Sequence, residues 1–511
     1  MEPNNEKAAV RPDNDHDVER GSNKEQTTPQ AKDHSSKAGA QVETVFDEAF
    51  LVTFGPDDPE NPLNWSRKLK WGITAAVSST GFVRIMVSTM MAPGIDVIAK
   101  DLNMTTTQST LALSVYLLAT AFAPLIIGPL SEVYGRKPLF HITNVFFLAW
   151  NLICGFANSK GLLISARFLA GAGASAVYSL AYGVLGDVWS KEQRGKSLSM
   201  YLFVPLTGVA IGPIVAGFIV EYSNWRWMFW ATTILQAVLV LASLSMFYES
   251  YAPVLLRKRA EKLRQETGEA RYYADTEKRE SGRTTLWKVR RSLTRPLRLL
   301  LFHPIIQLQA LLSGMNYGLL YFALASFSAL HVSAYGDSIA ISGLHYIAIC
   351  LGEILGSQMV GPLMDFAYKR LKTRFTDVPE LRVPLLLPGA IFAPIGFLLY
   401  GWAAQYHLFW LVVDIGAMML SLGMQIFDTT LGAYVMDAYP EHISSASAAT
   451  QVLRCLMAFG FPLFSNGLYK ALGYGWGNSL LAFLSIGIAV PATGILWRYG
   501  AKLRAKRESS Y

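Results

Sequence analysis

The chain is poor in cysteine and lacks a secretory signal. Its 511 residues include three cysteines, Cys154, Cys350 and Cys455, and all three lie inside long apolar stretches. They can form no disulfide framework of the soluble type, and no ligand spacing for a metal is present. Residues 1–50 are polar and rich in Asn, Asp, Lys and Gln, which predicts disorder rather than a cleaved leader. The first apolar stretch would therefore direct insertion into a membrane.

The sequence also lacks a nucleotide-binding motif and any cluster of nucleophilic residues. These absences argue against a membrane enzyme and leave an ion gradient as the energy source for transport. No cofactor and no metal are predicted. The net charge is +8, although residues 1–60 hold only 6 basic against 14 acidic residues. The positive charge lies between and after apolar stretches, where the positive-inside rule explains it, so no nucleic-acid partner is predicted.

Twelve apolar stretches fill the chain from Trp71 to Arg498, and apolar residues make up 52% of the whole. A bilayer core takes about 20 apolar residues per helix. Only helices satisfy their backbone groups at this length and hydrophobicity. Turn signals such as Asn158-Ser159-Lys160 separate the stretches. The predicted spans are 71–95, 109–130, 138–158, 160–183, 197–220, 226–247, 305–330, 339–363, 384–404, 408–431, 446–469 and 477–497.

The spans form two sets of six, separated by a basic segment, residues 249–303, with 14 basic and 7 acidic residues. This plan predicts an all-α membrane protein with twelve transmembrane helices in two pseudo-symmetric six-helix halves, as in secondary transporters that work by alternating access. The predicted organisation is a disordered cytoplasmic tail at 1–60, an N-terminal half at 61–248, a basic cytoplasmic loop at 249–303, a C-terminal half at 304–498 and a cytoplasmic tail at 499–511.

Basic residues fix the predicted orientation. Lys and Arg cluster before the first span and after the second, fourth, sixth, eighth and twelfth spans, while the opposite loops hold few of them. Both termini are therefore predicted to be cytoplasmic. Asn103-Met104-Thr105 lies in the first outer loop and is a candidate glycosylation site. The alternative is that this short loop sits too near the bilayer to be modified.

A motif follows the second span, where residues 128–137 read GPLSEVYGRK. Gly128 allows close helix packing, and Gly135 allows a tight turn. Arg136 and Lys137 can anchor at the cytoplasmic face, and Glu132 can pair with a basic group or cap a helix N-terminus. A degenerate copy after the eighth span contains Asp365 and Arg370, and two copies at equivalent places indicate an internal repeat.

These residues resemble the signature of the major facilitator superfamily, G-x-L-a-D-r-x-G-r-k, with Glu132 in place of the usual Asp. The resemblance runs from about Asp58 to Arg498. It implies that Gly128, Glu132, Gly135, Arg136 and Lys137, with Asp365 and Arg370, form a cytoplasmic gate.

The fifth span indicates a more specific resemblance, to antiporters. It carries Gly208, Gly212, Pro213 and Gly217, in a pattern similar to the antiporter motif g-x-x-x-G-P-x-x-G-G with Ala216 at one closing glycine. The glycines present a close-packing face and the proline kinks the helix. Further segments resemble the fungal twelve-span drug:proton antiporter family, which exports polyamines, drugs and secondary metabolites. They are residues 58–66, 166–171, 186–195, 434–440 and 446–454.

Ionisable residues inside spans are costly and mark candidate functional sites. Arg84, Glu353 and Asp428 fall near the middle of their spans, and Glu353 or Asp428 is the predicted proton carrier. Small neighbours, Gly352 and Gly356, would give Glu353 room. The alternative for Glu353 is a fixed ion pair with Arg84 or another arginine. Asp414, near a span end, is predicted to be solvated at the interface.

Two further arginines match positions of the family. Arg167 either takes part in proton coupling or binds carbonyl groups of a neighbouring helix, and Arg454 is predicted to be structural. Several aromatic and amide side chains could line a cavity for flat or cationic ligands, although lipid or core contact is the alternative for each. These candidates are Tyr116, Tyr178, Asn316, Tyr317, Tyr321 and Gln425.

The sequence therefore predicts a monomeric, proton-driven exporter of small organic compounds in the plasma membrane, with the vacuolar membrane as the alternative location. Within transport, the alternative is a carrier of polyamines or other organic cations, because Glu353 and Asp428 favour cations while Arg84 favours anions. The alternative from another class is a nutrient sensor built on a transporter fold. Such sensors carry long cytoplasmic extensions, and the two tails here are short.

Overall fold

The computed structural model describes residues 47–279, 294, 296–372, 378–438 and 443–505, which are almost entirely helical. Short 3₁₀ segments lie at Glu48–Phe50, Pro62–Asn64 and Pro379–Leu385, and residues 296–302 are also helical. The helices are α1 (Arg67–Thr89), α2 (Met91–Asp101), α3 (Thr106–Tyr134), α4 (Arg136–Gly155), α5 (Lys160–Ala174), α6 (Ala176–Val188), α7 (Lys191–Tyr222), α8 (Arg226–Met246), α9 (Ala252–Thr267), α10 (Asp275–Arg279), α11 (Pro304–Tyr335), α12 (Ile339–Leu344), α13 (Tyr346–Lys372), α14 (Leu386–Gln405), α15 (Trp410–Ala438) and α16 (Ile443–Ala505).

Nine helices of the described residues are long and apolar enough to cross a membrane, or ten when α1 and α2, bent by 49° at their junction, count as one. The remaining two of the twelve predicted spans are divided or merged. The fourth span is split at Ser175 into α5 and α6, each too short to cross alone. The eleventh and twelfth spans are joined in α16, which breaks at Gly473, where φ is +69°. The predicted twelve-span, all-α fold is therefore confirmed.

Local sequence explains where the helices begin and end. Ser66 and Ser159 accept hydrogen bonds from backbone N–H groups in the first turns of α1 and α5. Thr105 and Gln108 form a reciprocal capping box at the start of α3. Gly336 ends α11 in the left-handed conformation, which a residue without a Cβ adopts easily.

Large apolar side chains on the outside of the bundle are exposed. Ile142 on α4, Ile234 and Leu241 on α8, Ile391 on α14 and Phe483 on α16 are each more than half exposed. A soluble protein rarely leaves so wide an apolar surface uncovered, whereas lipid tails cover it without cost. These helices form the lipid-facing wall of the bundle.

The structure differs from the predicted disordered tail at residues 47–60, which pack against the segment that follows α8. Strand β1 (Leu51–Val52) pairs in parallel with β2 (Tyr273–Ala274). The Asp58 carboxylate accepts a hydrogen bond from the Arg259 guanidinium on α9, and this contact lowers the pKa of Asp58 below its usual value. Composition predicted disorder, but these long-range contacts order the segment.

Successive spans run in opposite directions, so the loops between them lie at two opposite faces of the bundle. The tail face holds the start of α1, the end of α16 and the segment around α9, and there Arg504 binds Glu380 at 2.8 Å. The far face holds the junctions of α2 with α3 and of α11 with α12. At this face α7 from the N-terminal half contacts α12 from the C-terminal half, and the Ala340 N–H donates to Glu221 Oε2 at 2.7 Å.

Candidate functional site

An ion pair lies at mid-depth where the two halves meet. Arg454 Nη1 on α16 is 3.0 Å from Asp428 Oδ2 on α15, and the Ser313 hydroxyl on α11 donates to Asp428 Oδ1 at 2.5 Å. The Arg454 guanidinium also lies over the Tyr317 ring at 4.1 Å. The side chain of Arg454 is 30% exposed, and that of Asp428 is 14% exposed. Because ions at this depth need water or partners, the exposure indicates that a polar cavity reaches the pair.

The wall of this cavity from the N-terminal half includes Tyr182 on α6. Tyr182 is 41% exposed, and its hydroxyl is close enough to Arg454 and Asp428 for electrostatic interaction. Sequence analysis did not select Tyr182, because a single tyrosine in an apolar span carries no local signal of the helix that it faces.

Glu353 lies beside this site, on α13, but is arranged differently. It is buried, and its Oε2 has no hydrogen-bond partner among the described residues. Electrostatic interactions connect it with Arg454 and with Tyr321. An ionised carboxylate in such a place is costly, whereas the protonated acid costs less. The arrangement suits a group that alternates between the two forms.

Hydrogen bonds between the halves surround the site. The hydroxyl groups of Ser88 and Tyr321 are 3.2 Å apart, and Thr120 Oγ1 donates to Cys455 Sγ at 3.2 Å. The rings of Tyr317 and Tyr321 contact edge to face, with centroids 4.9 Å apart. The tyrosines therefore connect the ion pair with the contact between the two halves.

The alternative of a fixed ion pair between Glu353 and Arg84 does not match the contacts that Arg84 makes in the structure. Arg84 is buried inside the N-terminal half, where it donates to the Ala174 carbonyl at 3.0 Å and to Asn144 Oδ1 at 2.5 Å. Gln236 donates to the same amide oxygen at 2.9 Å. Asn144 and Gln236 were missed, because only the fold shows that three distant polar residues converge.

Arg167 binds carbonyl groups of neighbouring helices, which was one of its two predicted roles. Its guanidinium is fully buried and donates to the carbonyls of Val87, Ala112 and Leu113 at 2.9–3.3 Å. Tyr116, predicted to line a cavity, instead lies under this guanidinium at 4.7 Å and is buried. Its hydroxyl donates to the Arg84 carbonyl, so Tyr116 belongs to the core.

The glycines of the fifth span allow close helix contacts. A Cβ on Gly208 would lie 2.8 Å from the Phe82 carbonyl oxygen, and one on Gly212 would lie 2.5 Å from the Met86 carbonyl oxygen. Gly217 approaches the Ile339 carbonyl oxygen of the other half in the same way, at 2.8 Å. This is the close approach that the glycine spacing predicts, and any larger residue would separate the helices.

Pro213 contributes to the contact between the halves through its carbonyl group. A Cβ on Gly343 of α12 would lie 2.6 Å from the Pro213 oxygen. The prediction that Gly352 and Gly356 give room to Glu353 is wrong. The two glycines instead allow α15 to approach α13 closely. A Cβ on Gly356 would lie 2.9 Å from the Leu422 oxygen, and one on Gly352 would collide with Ser421 and Met418.

The motif at residues 128–137, which joins the end of α3 to the start of α4, forms a compact polar cluster at the tail face. Arg136 Nε is 3.2 Å from Asp187 Oδ2, and its Nη1 donates to the Ser131 hydroxyl at 2.5 Å. The Glu249 carboxylate accepts the backbone N–H groups of Arg136 and Lys137 at 2.9 and 3.0 Å, which caps the N-terminus of α4. Sequence analysis places Glu249 only in the basic loop, because no local pattern indicates that this residue contacts α4.

Gly135 joins α3 and α4 with φ at +101°, and a Cβ there would collide with the Glu249 carboxylate. Gly135→Val is therefore expected to displace Glu249, remove the cap of α4 and stop transport, while the protein still reaches the membrane. Measurement of substrate transport and of membrane content in the same cells checks this. Gly268→Val is the matched control, because φ there is +71° but no atom lies within 4 Å of the added Cβ. Wild-type transport by the Gly135 variant would contradict the gate.

Other predicted residues lie apart from the ion pair. Asn316 donates to the Met424 carbonyl at 2.8 Å and lines a small crevice between α11, α14, α15 and α16. Gln425 packs on Gly356 and donates to Thr429 at 3.3 Å. Asn103 is exposed in the turn before α3, with φ at +49°.

The remaining gate and cavity residues are only partly placed. Gly128 lies in α3, Glu132 is exposed near its end, and Arg370 is exposed near the end of α13. The side chains of Tyr178 and Asp365 lie outside the described residues. Asp414, predicted to be solvated, is buried near His331 and His345 in a cluster that sequence analysis missed.

Comparison with known proteins gives consistent relatives. The chain is 72% identical over 424 residues to the probable efflux pump mfs2 of Aspergillus flavus, which covers 83% of this chain and all of that protein. It is 39% identical over 479 residues to the efflux pump vrtL of Penicillium aethiopicum, covering 92% and 94% of the two chains. Among solved structures, a partially occluded inward open conformation of the xylose transporter XylE from E. coli matches with a TM-score of 0.59 and 16% identity, covering 84% of this chain and 98% of that chain.

The last of these comparisons supports the fold alone, whereas the two fungal relatives match over nearly their whole length. The family model of the Major Facilitator Superfamily matches residues 77–462, which is most of the chain and spans both halves. The polar motif at the junction of α3 and α4, the glycine face of α7 and the paired six-helix halves agree with that match. The chain therefore belongs to the Major Facilitator Superfamily.

Proposed function

We propose that this chain is a proton-driven exporter of small organic compounds, such as drugs, toxins or secondary metabolites, and that it works by alternating access. The observation that supports this most directly is the polar site between the halves, with the ion pair of Asp428 and Arg454 beside the buried Glu353. The two fungal relatives are named as a probable efflux pump and an efflux pump, which supports export as the direction of transport.

Both termini are proposed to be cytoplasmic, in the plasma membrane, because basic residues concentrate at the tail face. The halves touch at the far face, where Ala340 binds Glu221 and where Gly217 and Gly343 allow close contact. The central site would then be loaded from the cytoplasm. Export requires the opposite state, in which α7 and α12 separate and the tail face closes around the cluster of Arg136, Asp187 and Glu249.

Glu353 is proposed to carry the proton, and the pair of Asp428 and Arg454 to bind substrate and respond to it. Protonation of Glu353 from the outside removes a buried charge, and the far face can then close. Substrate that enters from the cytoplasm binds to Asp428, Arg454 and Tyr317. It thereby replaces the contacts that these three side chains make with one another. Release of the proton to the cytoplasm would complete one exchange.

The chemistry of the site favours aromatic or neutral polar compounds over polyamines. Asp428 is already neutralised by Arg454, so it presents no free negative charge to a cation. Tyr182 is exposed and Tyr317 is partly exposed, so they offer aromatic rings and hydroxyl groups, and the buried Tyr321 packs behind Tyr317. Flat organic molecules that carry hydrogen-bonding groups fit such a lining.

The test is uptake of labelled compounds into inverted plasma-membrane vesicles, with an imposed pH gradient that is acidic inside. The proposal expects accumulation that needs the gradient, is removed by a protonophore and is missing from vesicles that lack the protein. Uptake that is indifferent to the gradient would contradict proton coupling. A protein that changes the cellular response to a nutrient but transports no compound in this assay would instead be a sensor.

A further inference from the structure

Four ionisable side chains gather at the far face of the C-terminal half, away from the central site. His331 lies near the end of α11, Asp337 in the following turn, His345 between α12 and α13, and Asp414 near the start of α15. The side chain of His331 is fully buried, those of His345 and Asp414 are nearly so, and that of Asp337 is 23% exposed. The cluster is thus closed on the inside and reached from the surface at Asp337.

The two imidazole rings are stacked, with centroids 3.7 Å apart and planes inclined by 11°. Asp337 Oδ2 faces one edge of the stack, 3.4 Å from His331 Nδ1 and 3.3 Å from His345 Nε2. Asp414 faces the other edge, 2.7 Å from His345 Nδ1 and 3.5 Å from His331 Nε2. Each carboxylate therefore approaches both rings.

Four of the facing polar atoms in this cluster, two at each edge, lie 3.4–3.5 Å apart without making a hydrogen bond. Among the described residues, neither ring nitrogen of His331 makes a hydrogen bond, and neither does Asp337 Oδ2. The Oδ1 atom of Asp414 is also unsatisfied. Buried polar atoms are normally hydrogen-bonded, and leaving two histidine nitrogens and two carboxylate oxygens without partners is costly. A cation bound at the Asp337 edge would give partners to His331 Nδ1 and Asp337 Oδ2 and would balance carboxylate charge.

We propose that His331 Nδ1, His345 Nε2 and Asp337 Oδ2 bind a divalent transition-metal ion of the Zn²⁺ class. These three ligand atoms lie within 4.8 Å of one another. Two imidazole nitrogens and one carboxylate oxygen suit Zn²⁺, with water in the fourth position, whereas Ca²⁺ and Mg²⁺ require oxygen ligands. The rings must splay from their stack to direct both nitrogens at one ion.

Asp414 completes the site as an orienting group. It accepts the Nδ1–H of His345 at 2.7 Å and so leaves Nε2 free for the metal. Histidine ligands commonly donate their second nitrogen to a carboxylate in this way, which fixes the tautomer and strengthens the ligand. Asp414 also faces Nε2 of His331, so one carboxylate orients both histidines.

The site has a consequence for the contact between the halves. Asp337 and His345 bracket α12, and α12 carries the residues that touch α7, through Ala340 on Glu221 and Gly343 on Pro213. A metal ion bound by Asp337 and His345, at the two ends of α12, would hold this helix against α7. If the chain is the exporter proposed above, Zn²⁺ at the outer face should slow its turnover; the binding site itself does not depend on that function.

The experiment is calorimetric titration of Zn²⁺ into the full-length, detergent-purified and metal-stripped protein at pH 7. One saturable equivalent is expected. Co²⁺ in place of Zn²⁺ should give visible absorption bands of a four-coordinate site with nitrogen ligands. Asp414→Asn should weaken Zn²⁺ binding by roughly 10–100-fold. Asp337→Asn and His345→Gln should weaken it at least as much.

His407→Gln is the matched control, because His407 is an exposed histidine at the same face and outside the cluster. Its affinity for Zn²⁺ should equal that of the wild type. Binding that persists in both Asp337→Asn and His345→Gln, or wild-type protein without a saturable Zn²⁺ equivalent, would overturn the site. The Co²⁺ spectrum needs no variant, so a wild-type spectrum with only octahedral, weakly absorbing Co²⁺ overturns it even where a variant fails to fold.

Discussion

Glu353→Gln is expected to abolish proton-driven transport while the protein remains folded in the membrane. Glu353 is buried on α13 with one carboxyl oxygen unpartnered, and it makes no salt bridge among the described residues. Glutamine has nearly the same size and mimics the neutral acid, so packing and stability should change little. What the variant loses is the ability to release a proton, and without that release the exchange cannot be driven.

The measurement is uptake into inverted vesicles at a series of imposed pH gradients, together with equilibrium binding of the same compound. The variant should bind the compound but show no gradient-dependent accumulation. Glu266→Gln is the control, since Glu266 is exposed on α9 and remote from the site. If Glu353→Gln retains the pH dependence of the wild type, the proton travels by another group.

The architecture was predictable because its signals are local. Each span is a run of apolar residues, and the breaks between spans carry turn residues or basic clusters that can be recognised without tertiary information. The repeated motif after the second and eighth spans gave the two halves. The fusion of the last two spans at Gly473 and the division of the fourth at Ser175 are details of helix continuity that apolarity alone does not set.

The partners of the buried charges were not predictable to the same degree. Glu353 and Arg84 are both mid-span, and opposite charges at similar depth suggested a pair. In the structure, helix rotation and the boundary between the halves separate them, and Arg84 finds the Asn144 amide and the Ala174 carbonyl instead. The position of a residue along a span predicts its depth in the membrane but not the side of the helix on which its side chain lies. That side decides which groups come into contact.

The cluster at the far face shows the same limit. Asp414 and His345 lie near the ends of their spans, where solvent exposure is the usual state. His331, at the end of α11, and Asp337, in the turn that follows, lie beside these two residues. A sequence-based view of each residue separately could not bring together four side chains from three spans and a loop.

Asp428→Asn is expected to lower both the stability and the transport of the protein. The change removes the anion that forms the salt bridge with Arg454 and leaves the guanidinium at mid-depth over the Tyr317 ring, with a neutral amide in place of the carboxylate. Breaking a fully buried ion pair costs roughly 3–5 kcal/mol. The cost here should be smaller, because Arg454 is 30% exposed to the cavity and water can hydrate it.

A double-mutant cycle separates stability from transport. Arg454→Gln removes the unpaired charge, so Asp428→Asn combined with Arg454→Gln should recover most of the thermal stability that Asp428→Asn loses. Transport should not recover, because substrate would find neither charge in the site. Thermal unfolding in detergent and uptake into vesicles are measured on all four proteins. Transport by the double variant at the wild-type level would show that the pair only holds α15 and α16 together, and the substrate site would then have to be sought among Tyr182, Tyr317 and Tyr321.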